Sequence, residues 1–524
     1  MTPYLPRILR TRGHRGRRFG RALRAMAAAV IAALGAGGAL ASSAAATSAP
    51  VCPDSVIPNV AIVPNSVGCW NAIAVQAVRL GSPYQVQGLI YTGYAQAAVY
   101  DAVTKIEGRY VPYDDFAVPE SVDVSSASPD AATATAAYTI LTSSFLHLNL
   151  PASAQVALSA KYADYIAALG GVQEPAVSAG IAVGQAAANG LIDDRTGDRD
   201  ESITFTPGPL TPSGWTFAPP PSLQSAQTPW VAVMRPFMLD SPSQFRADPP
   251  PALSSRQWAR EFNEVKAYGA ANSSVRSPEQ TAIAKFWNAN AVNQSNQAFQ
   301  DVALAHGMDL VGTARLLAMG DLVDSDAGAA CWDSKYHYLF WRPIMAIRNA
   351  EIAGNPATQP DPAWTPLLTT PNHPEYPAAH GCETGAEAEL FAAVLGTRRI
   401  DVTIRGSADG TPNDWSATRT FSRVSDLQRE IVNARVWAGL HYRQSALEGV
   451  VLGGKVVYWT LQRYFLPCEP WTERSPASAA VVAWASARPR RWPGMGSHVP
   501  GIGSGRAHGI RTSILQGLRR RIPR

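Results

Sequence analysis

Three short stretches in the second half of the chain combine long cations with histidines. In the first, Lys335 and Arg342 stand seven residues apart, which is two helical turns, so a continuous helix would present both cations on one face. The aromatic and apolar residues between them imply partial burial, and a buried cation requires a partner. The spacing therefore predicts that the two side chains converge on one anion.

The second stretch runs from His373 to His380. Pro377 suits the first turn of a helix, where its missing N–H costs nothing, and the next amides, including that of Ala379, would then face an anion. His380 would stand beside this anion as a general acid or base. A capped helix with a surface histidine is the alternative interpretation of this stretch taken alone.

The third stretch contains Arg435 and His441. Patterns typical of capping boxes at Ser425 and Ser445 predict two successive helices, with His441 at their junction. An interval of six residues does not put two side chains on the same helical face. We therefore expect the chain to bend near Gly439, which would bring the cation and the histidine to one point.

Taken in this order, the patterns K-x6-R-P, P-x-x-H and R-x5-H strongly resemble those of the vanadium-dependent haloperoxidase and type 2 phosphatidic acid phosphatase superfamily. The resemblance spans residues 70–470 and is closest to the soluble bacterial haloperoxidase-like branch. The segments that carry it besides the three stretches are 98–103, 235–237, 280–287 and 331–336.

The resemblance implies a cationic pocket between helices that holds vanadate, with phosphate as the competing oxyanion and without haem. Its binding residues would be Lys335, Arg342, Ala379, His380, Arg435 and His441. His441 would coordinate the vanadium of a peroxidase or attack the phosphorus of a phosphatase. His380 would be the acid or base in either reaction, and one pocket could serve both because the two geometries are alike.

The chain departs from the family pattern at three positions. Ala378 and Ala379 stand where the family has Ser-Gly, so a hydroxyl is lost while the backbone amide of Ala379 remains. The lost hydrogen bond to a charged group costs about 1.5 to 3 kcal/mol, or ten- to a hundredfold in anion affinity. Ser445 replaces the Asp that polarises the nucleophilic histidine of the phosphatases, which argues modestly against phosphatase chemistry.

Four functions remain open on these residues. The first is a haloperoxidase that oxidises halide with hydrogen peroxide and so halogenates an organic acceptor. The second is an acid phosphatase that uses a phosphohistidine intermediate and is inhibited by vanadate. The third is a catalytically weak oxyanion-binding protein. The fourth, a zinc hydrolase that uses His373, His380 and Glu383, has a poor ligand spacing.

The predicted fold is all-α, a helical bundle of the haloperoxidase type. Helical periodicity recurs at 86–106, 130–148, 154–169, 174–192, 255–268, 277–288 and from 296 to about 330, and strand-like alternation is scarce. Twelve prolines in residues 206–251 exclude a helix there, and the aromatic residues among them favour an extended strap across the bundle. The predicted boundaries are 1–46 for a signal peptide, 52–205 for an N-terminal helical region, 206–254 for the strap, 255–470 for the catalytic bundle and 474–524 for a basic, disordered tail.

The two ends of the chain carry its excess of positive charge. Residues 1–24 hold eight Arg and residues 474–524 hold ten, with no acidic residue in either segment. The rest of the chain holds 27 basic and 40 acidic side chains, and an acidic body repels a phosphate backbone. We therefore expect small-molecule substrates and no nucleic-acid partner.

The first 46 residues have the three regions of a cleaved signal peptide: an Arg-rich start, an Ala- and Gly-rich apolar stretch and a run of small residues. We expect a secreted or cell-envelope protein without stable membrane insertion after cleavage. Cys52 and Cys69 could form a local disulfide in that oxidising compartment. The family resemblance also implies that the protein could form a homodimer.

Overall fold

The structure is a computed structural model that describes residues 60–82, 84–219 and 225–468. The predicted signal peptide (1–46), the tail (474–524) and Cys52 lie outside these residues. The described chain is mostly helical, which confirms the all-α prediction. Its α-helices are α1 (Ser66–Gly81), α2 (Gln85–Glu107), α3 (Pro129–Thr142), α4 (Ala152–Ala168), α5 (Pro175–Arg195), α6 (Arg256–Tyr268), α7 (Pro278–Phe286), α8 (Ala291–Ala305), α9 (Leu310–Tyr338), α10 (Pro343–Arg348), α11 (Ala379–Leu395), α12 (Val424–Trp437) and α13 (Arg443–Leu461).

Two helices, α9 and α11, lie at the centre of the molecule. Both are buried along most of their length, together with most of their carboxylates, so neither helix turns a polar face to water. α2 and α8 pack on α9, while α12 and α13 pack on α11. At Gly453 of α13 an added Cβ would lie 2.2 Å from the Cys382 carbonyl oxygen, so only glycine permits this approach. α13 therefore packs against α11 at close range.

The predicted helix from 296 to about 330 is wrong as one element. The chain turns between α8 and α9, where Gly307 has a left-handed φ of 57°. Asp309 then starts α9 by accepting a hydrogen bond from the amide of Gly312 at 2.9 Å. A glycine followed two residues later by an N-capping Asp is a boundary signal that apolar periodicity conceals.

An antiparallel hairpin, missing from the prediction, precedes α12. Its strands are β1 (Arg399–Gly406) and β2 (Ala417–Arg423). In β1 the apolar side chains of Ile400, Val402 and Ile404 are buried and alternate with more exposed residues. This period of two is a strand signal in a short segment. The hairpin packs on α8 and α12.

The strap (206–254) contains no α-helix in its described part and joins the bundle by main-chain hydrogen bonds. The amide of Trp215 donates to the Leu339 carbonyl at 2.6 Å, and the amide of Trp341 donates to the Ser213 carbonyl at 2.9 Å. Further along, the amide of Gln227 donates to the Asn372 carbonyl at 2.8 Å. These contacts tie the strap to the loops that follow α9 and precede α11.

A buried carboxylate holds the next part of the strap. Asp326 of α9 accepts hydrogen bonds from the amides of Phe237, Met238 and Leu239 at 2.6, 2.7 and 2.9 Å. Burial raises the pKa of Asp326 to about 6, although the three amides oppose that shift. Since these amides belong to no helix or sheet, the carboxylate satisfies donors that burial would otherwise leave unpaired.

Candidate functional site

Lys335 and Arg342 converge, but not on one continuous helix as their spacing predicts. Lys335 lies in the last turn of α9, which ends at Tyr338, and Leu339 takes a left-handed φ of 47°. Arg342 is the N-cap of α10. The chain reverses between the two residues, so the cations meet across a tight turn.

The Lys335 ammonium is fully buried beneath the loop that precedes α11. Its Nζ donates to the carbonyl oxygens of Pro374 at 2.9 Å and Glu375 at 3.0 Å, and also to that of Pro377. Burial lowers the pKa of Lys335 to about 8, and nearby Arg342 acts in the same direction. Carbonyl dipoles thus satisfy its N–H groups, and no carboxylate forms a salt bridge with it among the described residues.

The Arg342 guanidinium, also fully buried, contacts both ends of the site. Its Nε donates to the His373 carbonyl oxygen at 3.0 Å, and its Nη1 reaches the Leu440 carbonyl oxygen at 3.1 Å and His441 Nε2 at 3.0 Å. Burial lowers its pKa to about 10. This side chain therefore joins the loop before α11 to the turn between α12 and α13.

Arg435 supplies the third buried cation from the last turn of α12. Its Nη1 donates weakly to the Trp287 carbonyl oxygen at 3.4 Å, and its Nε has no hydrogen-bond partner. Burial and Arg342 lower its pKa to about 9, whereas Glu383 raises it. An orphaned guanidinium N–H in a buried site is costly, and an oxyanion would satisfy it.

His380 lies in the first turn of α11 and is partly exposed. It hydrogen-bonds to the backbone of Trp287, the residue whose carbonyl also meets Arg435. Burial lowers the pKa of His380 well below its ordinary value, and Arg435 adds to that effect. The imidazole is therefore neutral at pH 7 and beside the cations, which suits it to accept a proton at this site.

The start of α11 differs from the prediction by two residues. Pro377 follows a cis peptide bond and precedes the helix, while Ala378 is the N-cap and Ala379 the first helical residue. Ala378 makes no side-chain capping bond. The first amides of a helix have no intrahelical acceptor, so the amide of Ala379 is available to an anion, as the sequence predicts.

His441 lies between α12 and α13, where the prediction puts it, and the chain bends at Gly439. This residue has a φ of 78°, and an added Cβ would lie 2.4 Å from the Gly269 carbonyl oxygen. The two predicted capping boxes are wrong. The N-caps are Arg423 and Tyr442, neither caps with its side chain, and Ser445 lies inside the first turn of α13.

Glu375 is the functional residue that sequence reasoning misses. Its Oε1 accepts hydrogen bonds from His441 Nδ1 at 2.9 Å and from the amide of Tyr442 at 3.0 Å. Burial raises its pKa to about 7, against the lowering effect of Arg342, Lys335, the Tyr442 amide and the Ser445 hydroxyl. The phosphatase pattern has its acid after the histidine, so nothing in the spacing directs attention 66 residues upstream.

The partners of His441 fix its tautomer. A guanidinium can only donate, so Nε2 carries the lone pair that meets Arg342, and Nδ1 carries the proton that meets Glu375. Burial and the three cations lower the pKa of His441 well below its ordinary value. A neutral imidazole with an unprotonated Nε2 is the form that binds a metal or attacks phosphorus.

His373 also belongs to the pocket, although the sequence assigns it only to the zinc alternative. Its Nδ1 lies 3.1 Å from Arg342 Nη2, and its ring packs against Trp332 with centroids 4.9 Å apart and the ring planes tilted by 32°. Burial and Arg342 lower its pKa well below the ordinary value. No three His, Cys, Asp or Glu side chains in the described residues are arranged to hold a metal ion, so the zinc alternative has no ligand set there.

Of the five cysteines, Cys69 is disulfide-bonded, while Cys331, Cys382 and Cys468 are free thiols. The predicted pairing of Cys69 with Cys52 remains a prediction. No helix in the described ranges is long and apolar enough to cross a membrane.

Comparison with known proteins points to one superfamily. A family model for the second helical-bundle domain of VCPO matches residues 315–466, which contain the three predicted stretches. The vanadium chloroperoxidase of Curvularia inaequalis is 27% identical over 266 residues, or 38% of this chain and 43% of that protein. The vanadium-dependent bromoperoxidase of Ascophyllum nodosum is 27% identical over 138 residues, or 23% of this chain and 25% of that protein. The chain thus matches less than half the length of either relative.

Solved structures extend the likeness to the whole fold. A bacterial vanadium-dependent iodoperoxidase superposes with a TM-score of 0.64 at 21% identity, over 77% of this chain and 97% of the other. A holo-type bacterial vanadium-dependent chloroperoxidase superposes with a TM-score of 0.59 at 17% identity, over 80% and 96% of the two chains. The chain therefore shares the fold of the bacterial vanadium-dependent haloperoxidases, and its residues 315–466 match the second helical-bundle domain of VCPO.

Proposed function

We propose that this protein is a vanadium-dependent haloperoxidase. The observation that carries the proposal is the His441 imidazole, held by Glu375 with its Nε2 lone pair directed into a pocket of three buried cations. The orphaned Nε of Arg435 supports an oxyanion in this pocket, because such a group would accept its hydrogen bond. Vanadate is the oxyanion that the superfamily implies, and when bound it supplies a Lewis-acid centre that activates hydrogen peroxide toward halide.

The chain's own residues would hold the anion and handle protons. Lys335, Arg342 and Arg435 neutralise its charge, since their present hydrogen-bond partners are neutral groups. The Ala379 amide adds a donor at the start of α11. Neutral His380 would accept a proton from hydrogen peroxide, and the imidazolium formed would be the acid that gives this proton back.

A phosphatase is the second candidate, and Glu375 specifically favours it. The residue four positions after His441 is Ser445, which lacks the charge that would polarise a nucleophilic histidine. The Glu375 carboxylate, 2.9 Å from Nδ1, supplies that charge from the loop that precedes α11. The loss of the phosphatase Asp therefore does not exclude a phosphohistidine route.

A paired assay on the purified protein tests both candidates. One arm receives orthovanadate and the other stays free of vanadium, and each is assayed for bromide oxidation with hydrogen peroxide and for hydrolysis of a chromogenic phosphate monoester. Bromination that requires vanadate supports the haloperoxidase. Hydrolysis that vanadate suppresses would favour the phosphatase over the haloperoxidase. The absence of both activities in both arms would favour an oxyanion-binding protein without turnover.

Variants at the pocket sharpen the assay. His441→Ala should abolish turnover, because the Nε2 donor is lost. His337→Ala removes an exposed histidine from the end of α9 and should leave the rate unchanged. Near-normal activity of His441→Ala would place the reacting group elsewhere.

A further inference from the structure

A second buried polar cluster lies behind the oxyanion pocket. Glu383 and Glu387 stand one turn apart on α11, and Asp321 and Asp324 face them from α9. All four side chains are buried. We call these four residues the carboxyl ladder. The haloperoxidase reaction described above makes no use of them.

Glu383 is the member of the carboxyl ladder that lies next to the oxyanion pocket. Glu383 is three residues beyond His380 on α11, and its charge interacts with those of Arg435 and Lys335. Its Oε1 also lies 4.0 Å from a Cβ built on Gly328 of α9. Glu383 therefore occupies the interface of the two central helices, next to the cations rather than next to solvent.

At least one of the other members of the carboxyl ladder, Asp324 or Glu387, must be protonated. Asp324 and Glu387 are in hydrogen-bonding contact. Ionised carboxylates can only accept hydrogen bonds, and counted in that form both Asp324 oxygens are buried without a donor. The contact is a hydrogen bond only if one of the two groups is protonated, because two ionised carboxylates at this distance repel each other. Ser295 donates to Glu387 and fixes its position.

The charges around the pocket then depend on what it holds. With the pocket free of anion, ionised Glu383 offsets part of the charge of Lys335 and Arg435. An incoming oxyanion takes over that role and repels the carboxylate. The titratable groups that interact with Glu383 are Lys335 and Asp324 on α9, Arg435 on α12, and Cys382 and Glu387 on its own helix.

We propose that oxyanion binding in the pocket is coupled to proton uptake by the carboxyl ladder, with Glu383 as the group that gains the proton. The proposal rests on the oxyanion pocket of the proposed function but not on the peroxidase reaction. It predicts that anion affinity falls as pH rises through neutrality more steeply than the protonation of the anion itself requires.

Calorimetry with orthophosphate as the probe tests the coupling. Titrations at pH 7 in two buffers that differ in ionisation enthalpy give the number of protons taken up per phosphate bound. Glu383→Gln should take up about half a proton fewer than the wild type, and at pH 8 it should bind phosphate about threefold more tightly or better, because no proton has to be acquired. The protonation of phosphate itself is common to both proteins and cancels in the comparison.

Glu389→Gln is the matched control. This carboxylate is on the same helix and equally buried, but it bonds to Arg398 and Gln428. Its proton uptake should equal that of the wild type. Equal uptake by the wild type and Glu383→Gln, or an equal loss in Glu389→Gln, would overturn the proposal.

Infrared difference spectroscopy of the wild type gives a test that needs no variant to fold. Adding phosphate should produce a protonated-carboxyl C=O band, and its absence would also overturn the coupling. If the wild type binds no phosphate, the pocket assignment fails together with the coupling. If proton-linked binding is present while halide oxidation is absent, the proposed function fails and the coupling stands.

Discussion

At the scale of single residues, Glu375 decides what His441 can do. Its carboxylate fixes the proton on Nδ1, so Nε2 points its lone pair toward Arg342 and the pocket. Residues that orient a metal-binding histidine typically contribute ten- to a hundredfold to affinity or activity. The electrostatic role that the phosphatases give to an Asp after the histidine is here filled from the preceding loop.

Glu375→Ala should weaken orthovanadate binding about ten- to a hundredfold, because His441 loses the acceptor that selects its tautomer. Isothermal calorimetry measures the affinity. Glu351→Gln changes an exposed carboxylate and should match the wild type. Unchanged affinity in Glu375→Ala would mean that another group holds the imidazole.

Ala378→Ser should restore the missing hydroxyl, with two separable effects. As an N-cap, the serine stabilises α11 by about 1 kcal/mol, which thermal unfolding in anion-free buffer measures. As an anion donor, it tightens orthovanadate binding ten- to a hundredfold, or about 1.5 to 3 kcal/mol. A rise in stability without a gain in affinity would show that the hydroxyl caps the helix and does not reach the anion.

At the scale of elements, the bend at Gly439 positions the site. The left-handed φ and the contact with Gly269 both require glycine. Gly439→Ala should cost about 1 to 2 kcal/mol for the conformation and about 1 to 3 kcal/mol more for the clash, and should lose orthovanadate binding. Urea unfolding and calorimetry measure the two effects.

Gly197→Ala is the control for that substitution. Gly197 has a similar φ of 82°, but an added Cβ would meet nothing within 4 Å. It should show only the conformational cost and keep full affinity. Equal losses in the two variants would contradict the role given to the Gly439 contact.

The elements also show what the sequence could and could not predict. The order of the stretches predicted that Lys335, Arg342, Arg435 and His441 would meet, and the structure brings them together. The prediction that one continuous helix carries Lys335 and Arg342 was wrong, because no sequence signal indicates that Leu339 takes a left-handed conformation. Ser425 and Ser445 lie in the first turns of α12 and α13, two and three residues after the N-caps, and the local pattern alone does not distinguish a first-turn serine from a capping one.

At the scale of the whole molecule, the buried carboxyl groups link stability to pH. The pKa of Glu383 is about 7 in the folded protein, above its ordinary value of 4.5. The folded state therefore holds a proton that the unfolded chain has released between these pH values. The stability that this group contributes is fully present below pH 4.5 and is lost as pH rises through 7.

Glu383→Gln should remove this loss. In anion-free buffer, its free energy of unfolding relative to the wild type should increase by about 3 kcal/mol between pH 5 and pH 8. Urea unfolding at the two pH values gives the difference, and Glu389→Gln should keep the wild-type dependence. A constant difference between Glu383→Gln and the wild type would mean that Glu383 does not change its charge on folding.

The strap has an evolutionary consequence. It is joined to the loops around the site through the main chain of Ser213, Trp215 and Gln227, and to Asp326 through three successive amides. Main-chain bonds do not depend on which side chain a residue carries, but they do depend on how many residues separate them. Substitutions at the strap's exposed positions should therefore accumulate freely among descendants of this chain, whereas insertions and deletions between these anchors should be rare.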